Sequence, residues 1–181
     1  MSGHNKFSQI KHQKESEDAK RSKLFGILGK MISVQARLAK GDVNHPALRA
    51  SIEKARKANM PKDNIERAIA RGKGGEAGEL EEVLYEAYGP GGVALVIAGI
   101  TDSKNRTSNE IKNILSAHSG SLGGPGSTTW AFTKTKDSEG SPIWQANSTM
   151  PVADSDKENF GKLLNELEDH ADIQSISHNA G

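Results

Sequence analysis

The chain has 181 residues, 34% hydrophobic and 26% charged, with no cysteine. This length holds one or two domains with modest cores. The composition excludes a disulfide framework, a thiolate metal site and a thiol nucleophile, and no apolar run approaches the roughly 18 residues of a membrane span. The net charge of +1 conceals an asymmetry: residues 1–75 hold 17 Lys and Arg against 7 Asp and Glu, whereas 76–181 hold 7 against 16.

A net +10 followed by a net −9 points to a polyanion-binding half joined to a half that does not bind. The alternative is two domains that attract each other. The basic residues fall into helical stripes, which favours the polyanion. The amino-terminal MSGHNKFSQIKHQKESED has no signal-peptide apolar region and carries acids, unlike a transit peptide. With the missing cysteines, this gives an expectation of a cytoplasmic protein.

In chain order, residues 1–17 read as an extended or loosely helical arm. Lys6, Lys11, His12 and Lys14 surround Phe7 and Ile10. Such an arm can follow a phosphate backbone, or it is a tail with its two apolar residues tucked onto the first helix. Residues 18–40 form a helix, with Ile27, Met31, Val34 and Leu38 as the expected buried seam. Lys23, Lys30 and Arg37 recur every seven residues along another face without interleaved acids. Gly41 stops this helix, and Pro46 opens a second with Leu48, Ile52 and Ala55 inward.

The stretch KARKANMPKDNIERAIARG, 54–72, is the end of that helix, a sharp turn at Asn59-Met60-Pro61 and a third short helix. Ile65, Ala68 and Ile69 mark its buried face, and Gly72 is the expected stop. The two helices carry Lys54, Arg56, Lys57, Lys62, Arg67 and Arg71, a candidate nucleic-acid surface. Asp63 lies one turn before Arg67 and is expected to pair with it. A glycine-rich hinge, 72–79, marks the boundary between a basic helical domain, 1–75, and an acidic domain, 76–181.

Beyond the hinge the period changes. VLYEAYG and GVALVIAGI are strands around a Gly-Pro-Gly-Gly hairpin turn. A helix covers 101–119, with Thr107 and Glu110 as an expected capping box. GSLGGPGS is a loop, TTWAFTK a strand and SPIWQANS another. A helix over 154–170 turns Phe160, Leu163, Leu164 and Leu167 inward, and 172–177 alternates as a last strand. The fold class is therefore α+β: an N-terminal three-helix bundle, then an α+β sandwich with a mainly antiparallel sheet and two helices on one face.

Catalytic and metal chemistry finds few carriers. The six histidines form no HExxH or HxH pairing, no Walker-type GxxxxGK[ST] occurs, and no nucleophile–base pair presents itself. The carboxylates of 76–86 and 154–172 read as solvated. No enzyme activity, metal or cofactor is expected. Lys104, Asn105, Arg106 and Thr107 lie between a strand end and a helix start, where backbone N–H groups attract anions, and form a possible second contact. Capping alone explains much of that cluster.

The segments GHNKFSQIKHQK, ANMPKDNIERAI, YGPGGV, TDSKNRT, GSLGGPGS and LEDHADIQSISHN together span most of the chain, and through them it resembles the YebC/PmpR family. The resemblance implies a helical N-terminal domain followed by two α+β domains, one inserted in the other. It also implies a DNA-binding transcriptional regulator of the cytoplasm. Some relatives, mitochondrial ones included, look like translation factors that act at the ribosome and help it through proline runs. This chain departs from the pattern: only 134–152 joins the AF strand to the last helix, so the inserted domain is missing or cut to a hairpin. Phe7 stands where the family tends to have Trp, and Gln13 where a basic residue is usual.

The expected function is therefore a non-enzymatic nucleic-acid-binding regulator. The contacts are Lys20, Arg21, Lys23, Lys30, Arg37 and the cations of the arm and of 54–71, which hold phosphates and release counterions. With 4% aromatic residues, a single-strand stacking platform is disfavoured, and recognition of duplex or folded-RNA shape fits better. Two alternatives remain open. One is a ribosome-associated translation factor binding ribosomal or transfer RNA. The other is a protein-interaction module that works through the acidic half.

Overall fold

The computed structural model describes residues 4–74, 79–138 and 142–181, with side chains from residue 17 onward. The chain divides into two units, Met1–Ala77 and Gly78–Gly181.

The first unit holds α1 (His4–Leu38), α2 (Pro46–Lys57) and α3 (Lys62–Gly74). The arm's backbone is helical and continuous with α1, so the first helix begins well before residue 18. It ends in a left-handed turn at Lys40 and Gly41, with the Gly41 N–H donating to the Ala36 carbonyl at 2.7 Å. Asn59 at φ 59° closes α2 in the same way, and the Met60 N–H donates to the Ala55 carbonyl.

Leu28, Ile32 and Ala36 of α1, with Ala39 just beyond its end, pack with Leu48, Ile52 and Ala55 of α2 and with Ile65 and Ala68 of α3. The seam of α1 therefore sits one residue along from the expected one. Leu38 is 64% exposed, Ile27 is only half-buried, and Val34 is buried outside this cluster. The reason is α3, which approaches α1 across small residues. The Ser33 hydroxyl donates to the Ala68 carbonyl at 2.9 Å. A Cβ on Gly72 would lie 2.3 Å from the Ser33 carbonyl oxygen and 2.8 Å from the Ala36 Cβ. Gly72 is thus a packing glycine inside α3, and the helix runs on to Gly74.

The second unit contains β1 (Glu81–Tyr88), β2 (Ala94–Thr101), α4 (Lys104–Ala117), β3 (Ser121–Leu122), β4 (Phe132–Lys136), β5 (Pro142–Ala146), α5 (Asp154–Asp169) and β6 (Ile173–His178). An antiparallel sheet has the order β3-β1-β2-β6. The β1–β2 hairpin turns through Gly91 and Gly92 at φ 70° and 84°, a conformation that favours glycine. Leu95 and Ile97 of β2 face Ile111 and Leu115 of α4 and Leu163 and Leu167 of α5, which form one core.

On the other face, Ala94 and Val96 pack against Ala131 and Phe132, with Trp144 beside them. Strands β4 and β5 are a separate two-stranded hairpin rather than members of the main sheet. It occupies the stretch where a reduced inserted domain is expected. The GSLGGPGS segment also carries β3, which pairs with Ala87 and Tyr88.

Candidate nucleic-acid interface

The apolar sides of α2 and α3 are spent on the bundle core, so their remaining faces carry the cations. Arg56 and Lys57 stand exposed in the last turn of α2, where cations also complement the helix dipole. Lys54 is half-buried one turn earlier. Lys62 opens α3 and lies 3.5 Å from Glu66. Arg67 and Arg71 are exposed one turn apart. Among the described residues, no acidic partner is recorded for Arg56, Lys57 or Arg71.

Arg67 is engaged differently from the expected pair. Its Nε donates to the backbone carbonyl of Asp63 at 3.3 Å, and its Nη2 donates to Asn64 Oδ1, not to the Asp63 carboxylate. The carbonyl is presented by helix geometry at i−4, and Asn64 at i−3 lies within reach of the same guanidinium. On α1, Lys20 and Arg21 are exposed, whereas Lys23, Lys30 and Arg37 are half-buried rather than a fully solvated row. Lys6, Lys11, His12 and Lys14 lie outside the described side chains.

The cluster at the start of α4 is wired inward. Ser103 is the N-cap, its hydroxyl accepting the Arg106 N–H, and Glu110 does not close a box on Thr107. Thr107 is fully buried, with its hydroxyl 2.7 Å from Asp172 Oδ2 and 2.8 Å from Thr101 Oγ1. Arg106 donates to Asp172 at 2.8 Å and lies 2.9 Å from Asp102. Lys104 pairs with Glu81, and Asn105 is exposed. The cluster thus leaves Lys104 and Asn105 at the surface and uses Arg106 and Thr107 to tie α4 to the start of β6.

Among the described residues, Asp172 is one of two buried carboxylates in stretches expected to be solvated. His170 stands beside it, accepting the Asp172 N–H on Nδ1 and sitting 2.8 Å from Glu110 through Nε2. The side-chain atoms of Glu110, His170 and Asp172 that could ligate a metal lie within 4.8 Å of one another. The Arg106 guanidinium already places positive charge on Asp172 there.

Glu86, on β1, is the second buried carboxylate. Its oxygens accept the backbone N–H groups of Gly126 at 2.6 Å, Thr128 at 2.7 Å and Thr129 at 2.8 Å. Burial alone raises its pKa, but these amides overcome it and bring the value down to about 2. The carboxylate fixes the glycine-rich loop from inside. No local signal marked this role, because the partners lie 40 residues or more along the chain. At the loop's end, Trp130 is 74% exposed, with Nε1 donating to the Ser127 carbonyl.

No helix among the described residues is long and apolar enough to cross a membrane. The sequence matches the model of the TACO1/YebC protein N-terminal domain over residues 5–75. It matches that of the TACO1/YebC second and third domain over 80–136. A probable transcriptional regulatory protein of Fervidobacterium nodosum is 39% identical over 235 aligned positions, covering 99% of this chain and 93% of the relative. That alignment is longer than the chain, so the relative has residues without a counterpart here. A like-named protein of Pseudothermotoga lettingae is 52% identical over 136 residues, which are 74% of this chain and 54% of that one. The chain thus spans about half the length of that relative. A crystal structure of a conserved hypothetical protein from Aquifex aeolicus superposes with a TM-score of 0.82 at 30% identity, covering 91% of both chains. These similarities, carried by both halves, show that the chain belongs to the TACO1/YebC family.

Proposed function

We propose that this protein is a non-enzymatic regulator of gene expression whose helical unit holds the phosphate backbone of a nucleic acid. The observation that carries the reading is the set of exposed cations on α2 and α3, Arg56, Lys57 and Arg71 above all. Among the described residues they stand without an acidic partner, on the solvent side of helices whose inner faces form the apolar core. Such cations bind through counterion release, with affinity that falls steeply as salt rises. The acidic second unit stays off the polymer.

DNA is the first target, because relatives of this chain are named probable transcriptional regulatory proteins. Folded RNA at the ribosome, ribosomal or transfer, is the second. An apolar cleft between α2 and α3 favours it, since unpaired bases are common in folded RNA. The test is a gel shift on duplex DNA beside co-sedimentation with ribosomes, both at physiological salt. DNA retardation without ribosome association supports the transcriptional role, and the reverse supports the translational one. Failure to bind either overturns the proposal.

A further inference from the structure

The helical unit carries a cleft of about 640 Å³ beside its cations, within the size range of small-ligand sites. Ile52 of α2, Met60 of the turn and Ile65 of α3 are all buried in the core and form a fixed apolar floor. Val43, 48% exposed in the loop after α1, forms the lip. Charged side chains of both signs close the rim. Arg49 lies 3.2 Å from Glu53, and Lys62 lies 3.5 Å from Glu66. Arg56 stands among them with no recorded acidic partner among the described residues.

We propose that this cleft receives one unstacked nucleobase from the bound nucleic acid, an inference that rests on the reading of the helical unit as a phosphate-binding surface. A polyanion drawn to Arg56 and its neighbours crosses the lip, and its bases are the apolar, planar parts able to fill such a floor. The rim argues against a protein helix, which needs an open apolar groove for anchors one and two turns apart. Here the alternating charges confine the apolar floor.

Glu53 and Glu66 repel phosphate, yet each carboxylate keeps lone pairs beyond those used by its cation. They accept from an exocyclic amine, which adenine, cytosine and guanine carry and which uracil and thymine lack. Arg56, on the rim, takes the flanking phosphate with its planar guanidinium.

The test uses the full chain and two hairpins of equal charge at fixed salt, one fully paired and one with a single bulged nucleotide, each made in DNA and in RNA. The bulged adenine hairpin should bind about tenfold tighter than the paired one, in the range expected for burying roughly 60 Å² of apolar base surface on the aliphatic floor, and tighter than the bulged uracil or thymine form. A 2-aminopurine at the bulge should change its fluorescence on binding. Preference in both sugars assigns the site to the base alone, and preference confined to RNA assigns it to folded RNA. Val43→Arg fills the lip from an exposed position and adds a cation. It should abolish the preference while binding the paired hairpin at least as tightly. Equal binding of bulged and paired forms, or a preference that survives Val43→Arg, overturns the inference and leaves phosphate binding intact. Loss of all binding by the unaltered protein overturns both.

Discussion

Glu86 on β1 accepts the backbone N–H of Thr128 at 2.7 Å and so joins the main sheet to a loop more than 40 residues away. Two further amides, of Gly126 and Thr129, converge on the same carboxylate. Glu86→Ala would leave three donors without their acceptor and should cost on the order of 3 kcal/mol. The pH dependence has a definite sign. A carboxyl that titrates at about 2 when folded, against 4.5 in the free residue, binds more protons unfolded than folded. Its contribution is complete above pH 4.5 and is lost as pH falls through about 2. Urea midpoints measured across that window should fall in the unaltered protein and fall less in Glu86→Gln. Trp130, anchored to the Ser127 carbonyl, offers a fluorescence signal for the loop itself.

Asp172 joins Arg106 and Thr107 at the root of α4, and its removal separates a structural role from a binding one. Asp172→Asn weakens the charge-assisted bonds and should destabilise the protein by about 2 kcal/mol, a figure held low because Arg106 is half solvated. Arg106→Lys should not restore the lost stability of Arg106→Ala, since an ammonium cannot span Asp102 and Asp172 as the guanidinium does. The dependence of nucleic-acid affinity on salt should be unchanged in all three variants. A flatter slope in Arg106→Ala would show that this cluster is a second contact after all.

Features governed by neighbours in sequence were legible. Pro46 at the start of α2, Gly41 at the end of α1 and the Asn59–Pro61 turn all follow from backbone chemistry of one or two residues. The α1 seam was not, because the helix bears two apolar stripes one residue apart, and only the approach of Gly72 selects Leu28 and Ile32 over Ile27 and Met31. The cap of α4 was misplaced for a similar reason: hydroxyls at 101, 103 and 107 all suit a helix start, and the burial of Thr107 decides for Ser103. At the candidate interface the cations could be counted from sequence, but Asp63 and Asn64 both lie within a turn of Arg67, and only the folded helix selects the Asn64 side chain. Glu86 and Asp172 looked like solvated acids because their partners are distant along the chain.

Two glycines in the first unit should respond oppositely to alanine. Gly72→Ala gains about 1 kcal/mol of helix propensity but drives a Cβ to 2.3 Å from the Ser33 carbonyl oxygen, against backbone that cannot swing aside. Overpacking of this kind costs 1–3 kcal/mol or somewhat more, so the variant should be less stable. Gly26→Ala meets nothing within 4 Å and should stabilise by about 1 kcal/mol. Thermal melts of the two variants side by side test the α1–α3 packing. Equal stabilisation would mean that the helices do not approach as closely as Ser33 and Gly72 require.

Cations on α2 and α3 should dominate the salt response. Replacing Lys54, Lys57, Arg67 and Arg71 together by Gln removes up to four phosphate contacts, each contributing about 0.7–0.9 to the slope of log affinity against log salt. The summed change should fall short of four full contacts, because Arg67 already donates to Asn64 and to the Asp63 carbonyl and must release them to bind phosphate. Single variants should show this ranking, with Arg71→Gln flattening the slope more than Arg67→Gln. Titrations at four or five salt concentrations with one duplex suffice. An unchanged slope in the quadruple variant would move the contact off this face, to the half-buried cations of α1 or to the second unit.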